Sequence, residues 1–168
     1  MCYEILFAEE DAEVELRGIL IDSNMDIAGE IQEHVLIKKD GEIIGGGMLS
    51  QTGAAVYHLL VFAVRESARK HGIGSILLKE LISRPWRYCL NSTGAIDGAY
   101  KVTTAAKGKS APFYQKNGFV PCEFSELADP FRDQCRECPD LEDCNPVPMV
   151  YAGGTTQAAG TCRTGEKT

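Results

Sequence analysis

The sequence predicts a mixed α/β layer architecture, and three observations carry that expectation. Strand-like and helix-like segments follow one another in the order β-α-β-β-β-α-β-α-β-β. No internal repeat interrupts them. The 168 residues, 44% hydrophobic and 24% charged, suit one soluble domain with a core of its own.

Taken in order, Tyr3 to Phe7 reads as a short strand. Glu9 to Asp22 reads as a helix, because Ala12, Leu16, Ile19 and Leu20 fall on one face and acids fill its first turn. Ser23 to Gln32 is mixed, with room for a second short helix. His34 to Lys39 is a strand, Asp40-Gly41 a hairpin signal, and Ile43 to Ser50 the returning strand. The run Gly45-Gly46-Gly47 within it points to a bulge or a close backbone approach. Ala54 to Val64 is a long apolar strand. Gly72 to Ser83 is a helix with Ile73, Ile76, Leu77 and Leu81 spaced for one buried face, ended by Arg84-Pro85. Ala99 to Thr104 is a strand, Ala111 to Asn117 a short helix stopped by Gly118, Phe119 to Cys122 a strand, and Val147 to Tyr151 the last strand.

A net charge of −7 argues against non-specific nucleic-acid binding, which needs a basic face. The start, MCYEILFAEEDAE, has no basic region and no long apolar run, so no signal peptide is expected. No apolar stretch approaches the roughly 18 residues of a membrane span. The expectation is a cytoplasmic protein with no nucleic-acid and no membrane partner. Within the acidic chain, Arg65, Arg69, Lys70 and His71 form a local basic patch.

That patch runs into Gly72 and Gly74, two poor helix formers at the head of a helix. The first helical turn has unpaired N–H groups and the positive end of the dipole, so a phosphate can sit there. Glycine lets the backbone come close. The stretch therefore reads as a pyrophosphate cradle. The dinucleotide fingerprint wants a third glycine where Leu77 stands, and the P-loop pattern is absent. What remains is Arg-x-x-Gly-x-Gly after a long strand.

FAVRESARKHGIGSILLKEL resembles the acyl-CoA signature of the GNAT superfamily of N-acetyltransferases, in which Arg/Gln-x-x-Gly-x-Gly/Ala follows an apolar strand. APFYQKNGF, Ala111 to Phe119, resembles the family's helix-plus-strand element, and the hairpin around DGEIIGGG resembles its second and third strands. The resemblance covers roughly residues 3–122 plus the last strand. It implies the GNAT (acyl-CoA N-acyltransferase) fold, a mixed, mostly antiparallel central sheet of six or seven strands flanked by helices. The domain would span residues 1–152, with 123–146 a cysteine-rich insertion and 153–168 a flexible C-terminal tail. Acetyl-CoA is the implied co-substrate. Its pyrophosphate would lie on Arg69, Lys70, His71, Gly72, Ile73, Gly74 and Ser75, although Ser75 also reads as a plain helix cap. Its pantetheine arm would pair like an added strand with the backbone at Phe62, Ala63 and Val64. Many members place Asn about seven residues before the helix tyrosine; here Lys107 stands there, and that contact is not carried over.

Amine acetylation by a thioester needs a deprotonated amine, a polarised carbonyl and a proton for the leaving thiolate. Tyr114 matches the family's tyrosine acid, and a phenol is protonated at neutral pH. His58, in the long strand, matches a position where several members place a catalytic Glu or His, and imidazole titrates near working pH. It reads equally as a core histidine, with ordered water as the base. His34 and His71 have weaker claims, and Cys2, Cys89 and Cys162 look incidental.

Cys122, Cys135, Cys138 and Cys144 lie within 23 residues, and 24 residues separate Cys122 from Val147. A loop that long needs something to fix it. Cys-x2-Cys-x5-Cys offers three thiolates for zinc, with Cys122 or Cys162 as a fourth ligand. A reduced, partly buried set held by Phe131, Leu141 and two prolines, or a disulfide switch, are the other readings. The function expected is acetyl transfer from acetyl-CoA to a primary amine of a small molecule by direct attack, with a homodimer as the candidate assembly. Its rivals are a protein or peptide N-acetyltransferase and a non-catalytic acyl-CoA-binding sensor with a metal- or redox-responsive loop.

Overall fold

Seven strands, β1 (Tyr3–Phe7), β2 (His34–Lys39), β3 (Glu42–Gly53), β4 (Val56–Val64), β5 (Tyr100–Ala106), β6 (Val120–Pro121) and β7 (Val147–Gly153), are hydrogen-bonded in the order β1-β2-β3-β4-β5-β7-β6. The computed structural model describes residues 2–154 except 137 and 140. The pairs β1–β2, β2–β3, β5–β7 and β6–β7 are antiparallel. The start of β4 runs parallel to β5. The Lys101 N–H donates to the Ala55 carbonyl at 2.9 Å and the Thr103 hydroxyl to the Tyr57 carbonyl at 3.3 Å, so both strands advance together. A parallel neighbour requires a crossover, and α2 (Ile73–Ser83) lies within that connection.

Packing divides the chain into two units: residues up to Ser50 with Leu59–Ala95, and Gln51–His58 with the chain from Ile96 on. In the first, α1 (Glu13–Ile21) is preceded by a 3-10 turn over Glu10–Ala12, and Ala12, Leu16, Ile19 and Leu20 are all buried as their spacing predicts. They share one core with Leu36, Ile43, Met48, Val61 and Ala63. Asp40 and Gly41 have φ of 52° and 85°, the two left-handed residues a tight hairpin turn demands. The glycine run in β3 answers to both of its predicted causes. Ile37 pairs with Gly45 and Lys38 with Ile43, which leaves Ile44 as a bulge. A Cβ on Gly45 would stand 2.8 Å from the Ala63 carbonyl oxygen, and one on Gly47 2.9 Å from that of Val61.

One helix face differs from the expectation. α2 buries Ile73, Leu77, Leu78, Leu81 and Ile82, while Ile76 is 37% exposed. The buried stripe follows steps of four from Ile73, with 78 and 82 beside it, so Ile76 falls on its rim.

In the second unit, α3 (Ala111–Lys116) ends before Gly118, whose φ of 99° suits glycine alone. Phe119 is buried against Tyr114 and Tyr151. The insertion holds a 3-10 turn over Phe124–Glu126 and two short helices, α4 (Phe131–Gln134) and α5 (Leu141–Cys144). β7 runs two residues past its expected end, to Gly153, and the tail from 155 lies outside the described residues. Among the described residues no helix is long and apolar enough to cross a membrane.

Candidate active site

The connection from β4 to α2 contains the predicted cradle. Lys70 and Gly72 both have positive φ, 70° and 77°. Gly72 caps α2 without any side-chain bond, so Ser75 is not the N-cap that one reading made it. The first helical bond joins the Ile76 N–H to the Gly72 carbonyl at 3.0 Å. Helix geometry leaves the N–H groups of Ile73 and Gly74 directed out of the first turn with no intrahelical acceptor. Nothing lies within 4 Å of a Cβ built on Gly72, and Gly72 and His71 are exposed. An exposed, open, left-handed turn before the positive end of an 11-residue helix is an anion-accepting geometry.

The arginines beside it are engaged elsewhere. Arg69 donates from Nε to the Val64 carbonyl and from Nη2 to the Ser23 hydroxyl, both at 3.1 Å. Arg65 donates to the Ile43 carbonyl from Nε at 3.1 Å and from Nη2 at 2.9 Å, and pairs with Glu15 at 2.8 Å. Of the predicted basic patch, Lys70 and His71 are exposed, while both guanidinium groups tie the turn to the fold. Phe62, Ala63 and Val64 are buried at the end of β4, immediately before it.

In the second unit His58 is 3% exposed. Its Nδ1 lies 2.8 Å from the Thr103 hydroxyl, and its ring stacks on Phe131 of α4 with centroids 3.9 Å apart and planes 12° from parallel. Burial pushes its pKa down to about 4, so the sequence argument that it titrates near neutral pH is corrected: desolvation disfavours the imidazolium. Tyr114 is 7% exposed, edge-on to Phe113 and Phe119, and burial pushes its phenol up. His34 is fully buried, with Nδ1 2.9 Å from the Glu30 carbonyl and Nε2 accepting the Ala28 N–H at 3.2 Å. Both of its nitrogens are used by backbone, which fits its weak claim to chemistry.

Zinc at the cysteine loop is not shown. Among the described residues no group of three or more His, Cys, Asp or Glu side chains is placed to hold a metal ion. Burial, then the neighbouring Cys144 and Cys138, push the Cys135 thiol up. Cys122 is raised by burial and then by Glu126 and Glu123 rather than by the other cysteines. Cys162 lies outside the described residues. The segment is held by other means. Leu127 is buried, Phe131 covers His58, and chained turns run from Cys135 through Cys138 and Leu141 to Asn145. The Asn145 carbonyl would stand 2.7 Å from a Cβ on Gly108. Leu141, expected to anchor the loop, is 37% exposed.

Thr103 and the stacking role of Phe131 were not found from sequence. Their partnership with His58 spans 45 and 73 positions, and no local pattern marks it.

Residues 30–121, more than half of the chain, match the family model of the acetyltransferase (GNAT) domain. No curated protein matches the chain by sequence. Three solved structures are similar to it. N-acetylglutamate synthase from Neisseria gonorrhoeae, complexed with coenzyme A and N-acetyl-glutamate, has a TM-score of 0.71 at 16% identity, over 90% of this chain and 35% of that one. An acetyltransferase of the GNAT family from Staphylococcus aureus Mu50 gives 0.64 at 16%, over 90% and 99%. Ard1 from Thermoplasma volcanium gives 0.63 at 16%, over 91% and 99%. At such identities the likeness speaks for the fold, and this chain spans about a third of the synthase.

Proposed function

This chain belongs to the GNAT acetyltransferase family, and from that premise we propose that it transfers the acetyl group of acetyl-CoA to the primary amine of a small molecule by direct attack. The observation that carries the reading is the open left-handed turn at Lys70–Gly72 ahead of α2. Its outward N–H groups and helix dipole suit a pyrophosphate, and Lys70 and His71 add side chains that can follow it. The backbone of Phe62, Ala63 and Val64 would take the pantetheine arm.

Acetyl-CoA supplies the activated acetyl group, and the chain supplies the proton traffic. In this reading His58 accepts the proton of the attacking nitrogen. It is neutral at pH 7 and needs no prior deprotonation. Its weak basicity suits a proton released late, as the C–S bond breaks and the nitrogen becomes a strongly acidic protonated amide. Tyr114 gives its proton to the leaving sulfur. Because burial makes the phenol a reluctant acid, that proton moves as charge builds on sulfur rather than ahead of it. One proton leaves nitrogen and one reaches sulfur, so solvent exchange between the two side chains restores both.

The test is a screen of small primary amines and of peptides with acetyl-CoA, following free thiol. Acetylation of small amines supports the reading. Activity on peptides alone would replace it with a protein N-acetyltransferase. Coenzyme A binding with no acceptor in either set would replace it with a binding module.

A further inference from the structure

His58 is fixed on two sides by residues the reaction scheme has not used. A carbonyl oxygen can only accept, and the Thr103 hydroxyl stands 3.3 Å from the Tyr57 carbonyl as its donor. With the hydroxyl proton directed to the carbonyl, the Thr103 oxygen is left to accept at 2.8 Å, which pairs it with an Nδ1–H of His58. That tautomer puts the lone pair on Nε2. Phe131 lies nearly parallel over the imidazole face, delivered by α4 of the insertion.

We propose that Thr103 and Phe131 are positioning residues for His58: Thr103 fixes the Nδ1–H tautomer so that Nε2 is the proton-accepting atom, and Phe131 fixes the ring plane and keeps water from its face. This rests on the reading of His58 as the base. It also gives the cysteine-bearing insertion a part in the chemistry through an aromatic ring rather than through its thiols. The orienting logic is that of any catalytic imidazole whose second nitrogen is committed to a neighbour. Here the neighbour is a neutral hydroxyl that is itself oriented by a strand carbonyl. A carboxylate in that place would raise the imidazole's basicity; a hydroxyl sets direction without doing so.

The full chain, labelled with 15N-histidine, reports the tautomer directly through the two ring nitrogen shifts. The wild-type spectrum should show His58 protonated on Nδ1. Thr103→Val keeps the shape and removes the hydroxyl, and should move the ring toward the Nε2–H form while lowering kcat by about 10-fold or more. Thr103→Ser, which keeps the hydroxyl, should restore both. Phe131→Ala admits water and should raise the pKa of His58 from about 4 toward 6.5, with Phe131→Leu in between. An Nε2–H ring in the wild type, or unchanged nitrogen shifts in Thr103→Val, would overturn the tautomer assignment. An unshifted titration in Phe131→Ala would overturn the role of Phe131. His58→Gln separates the proposal from its premise. Full turnover in that variant removes His58 as base, whereas the nitrogen shifts test the tautomer without reference to activity.

Discussion

The two candidate site segments are built from different materials. At Lys70–Gly72 the backbone forms the site: two left-handed residues and the open end of a helix, with the adjacent arginines turned to structural bonds. His58 and Tyr114 are instead buried among side chains, and the partners of His58 come from positions far apart in the chain. A backbone-built site should depend on φ and on charge and should tolerate loss of nearby side chains. A side-chain-built site should depend on single functional groups and on their dehydration.

The largest expected effect lies on the side-chain side. Tyr114→Phe removes one hydroxyl and little volume, and kcat should fall by about 10²- to 10⁴-fold while acetyl-CoA affinity is kept. Turnover near wild type would show that another group delivers the proton.

Dehydration gives the next effect, on stability. His58 has a pKa of about 4 when folded and about 6.5 when unfolded, so between those values the unfolded chain binds the extra proton. The stability is present in full above pH 6.5, is lost as pH falls toward 4, and amounts to about 3 kcal/mol. His34, also lowered by burial, acts in the same direction. Urea unfolding of wild type against His58→Gln at pH 7 and pH 5 isolates the share of His58. Equal pH dependence in both chains would mean that the imidazole is hydrated.

On the backbone side, Gly72→Asp brings a side chain to a left-handed position and a negative charge to the turn. Acetyl-CoA affinity by calorimetry should drop about 10²-fold in a folded protein. Gly72→Asn, which tolerates the φ and carries no charge, should lose far less. The smallest effect should come from Lys70→Gly, which keeps the left-handed φ and removes only an exposed charge, at under about fivefold in affinity. If Lys70→Gly weakens binding as much as Gly72→Asp, side chains rather than backbone hold the ligand and the contrast breaks down.

The same difference decides what was legible in the sequence. A backbone-built site leaves a local signature, because glycine at fixed offsets is the trace of left-handed φ and close approach; Gly72 and the Gly45–Gly47 run were both readable for that reason. The strands were legible through alternation and turn residues, and α1 through its four apolar positions. Ile76 was misplaced because steps of three and four fit a short pattern equally well until packing chooses between them. Thr103 and Phe131 were invisible as partners of His58, since register between β4 and β5 and the path of a long insertion follow from tertiary packing. The cysteine spacing suggested a metal, and among the described residues no grouped set of ligands supports one. The lowered pKa of His58 could not be foreseen either, since it follows from burial that only the folded chain provides.

The bulge at Ile44 has a consequence for hydrogen exchange. Arg65 binds two carbonyls at the bulge: its guanidinium bonds to Ile43, and its own N–H donates to the Ile44 oxygen at 2.7 Å. Arg65 lies just past the end of β4, in a connection whose other amides would be expected to trade with solvent quickly. Its amide should instead exchange at the slow rate of the sheet, and its Nε–H should persist as a separate resonance. A deuterium map of this chain would then show a protected amide at the head of the loop that leads to the turn, marking the place where an irregularity in one strand fastens the next segment of chain.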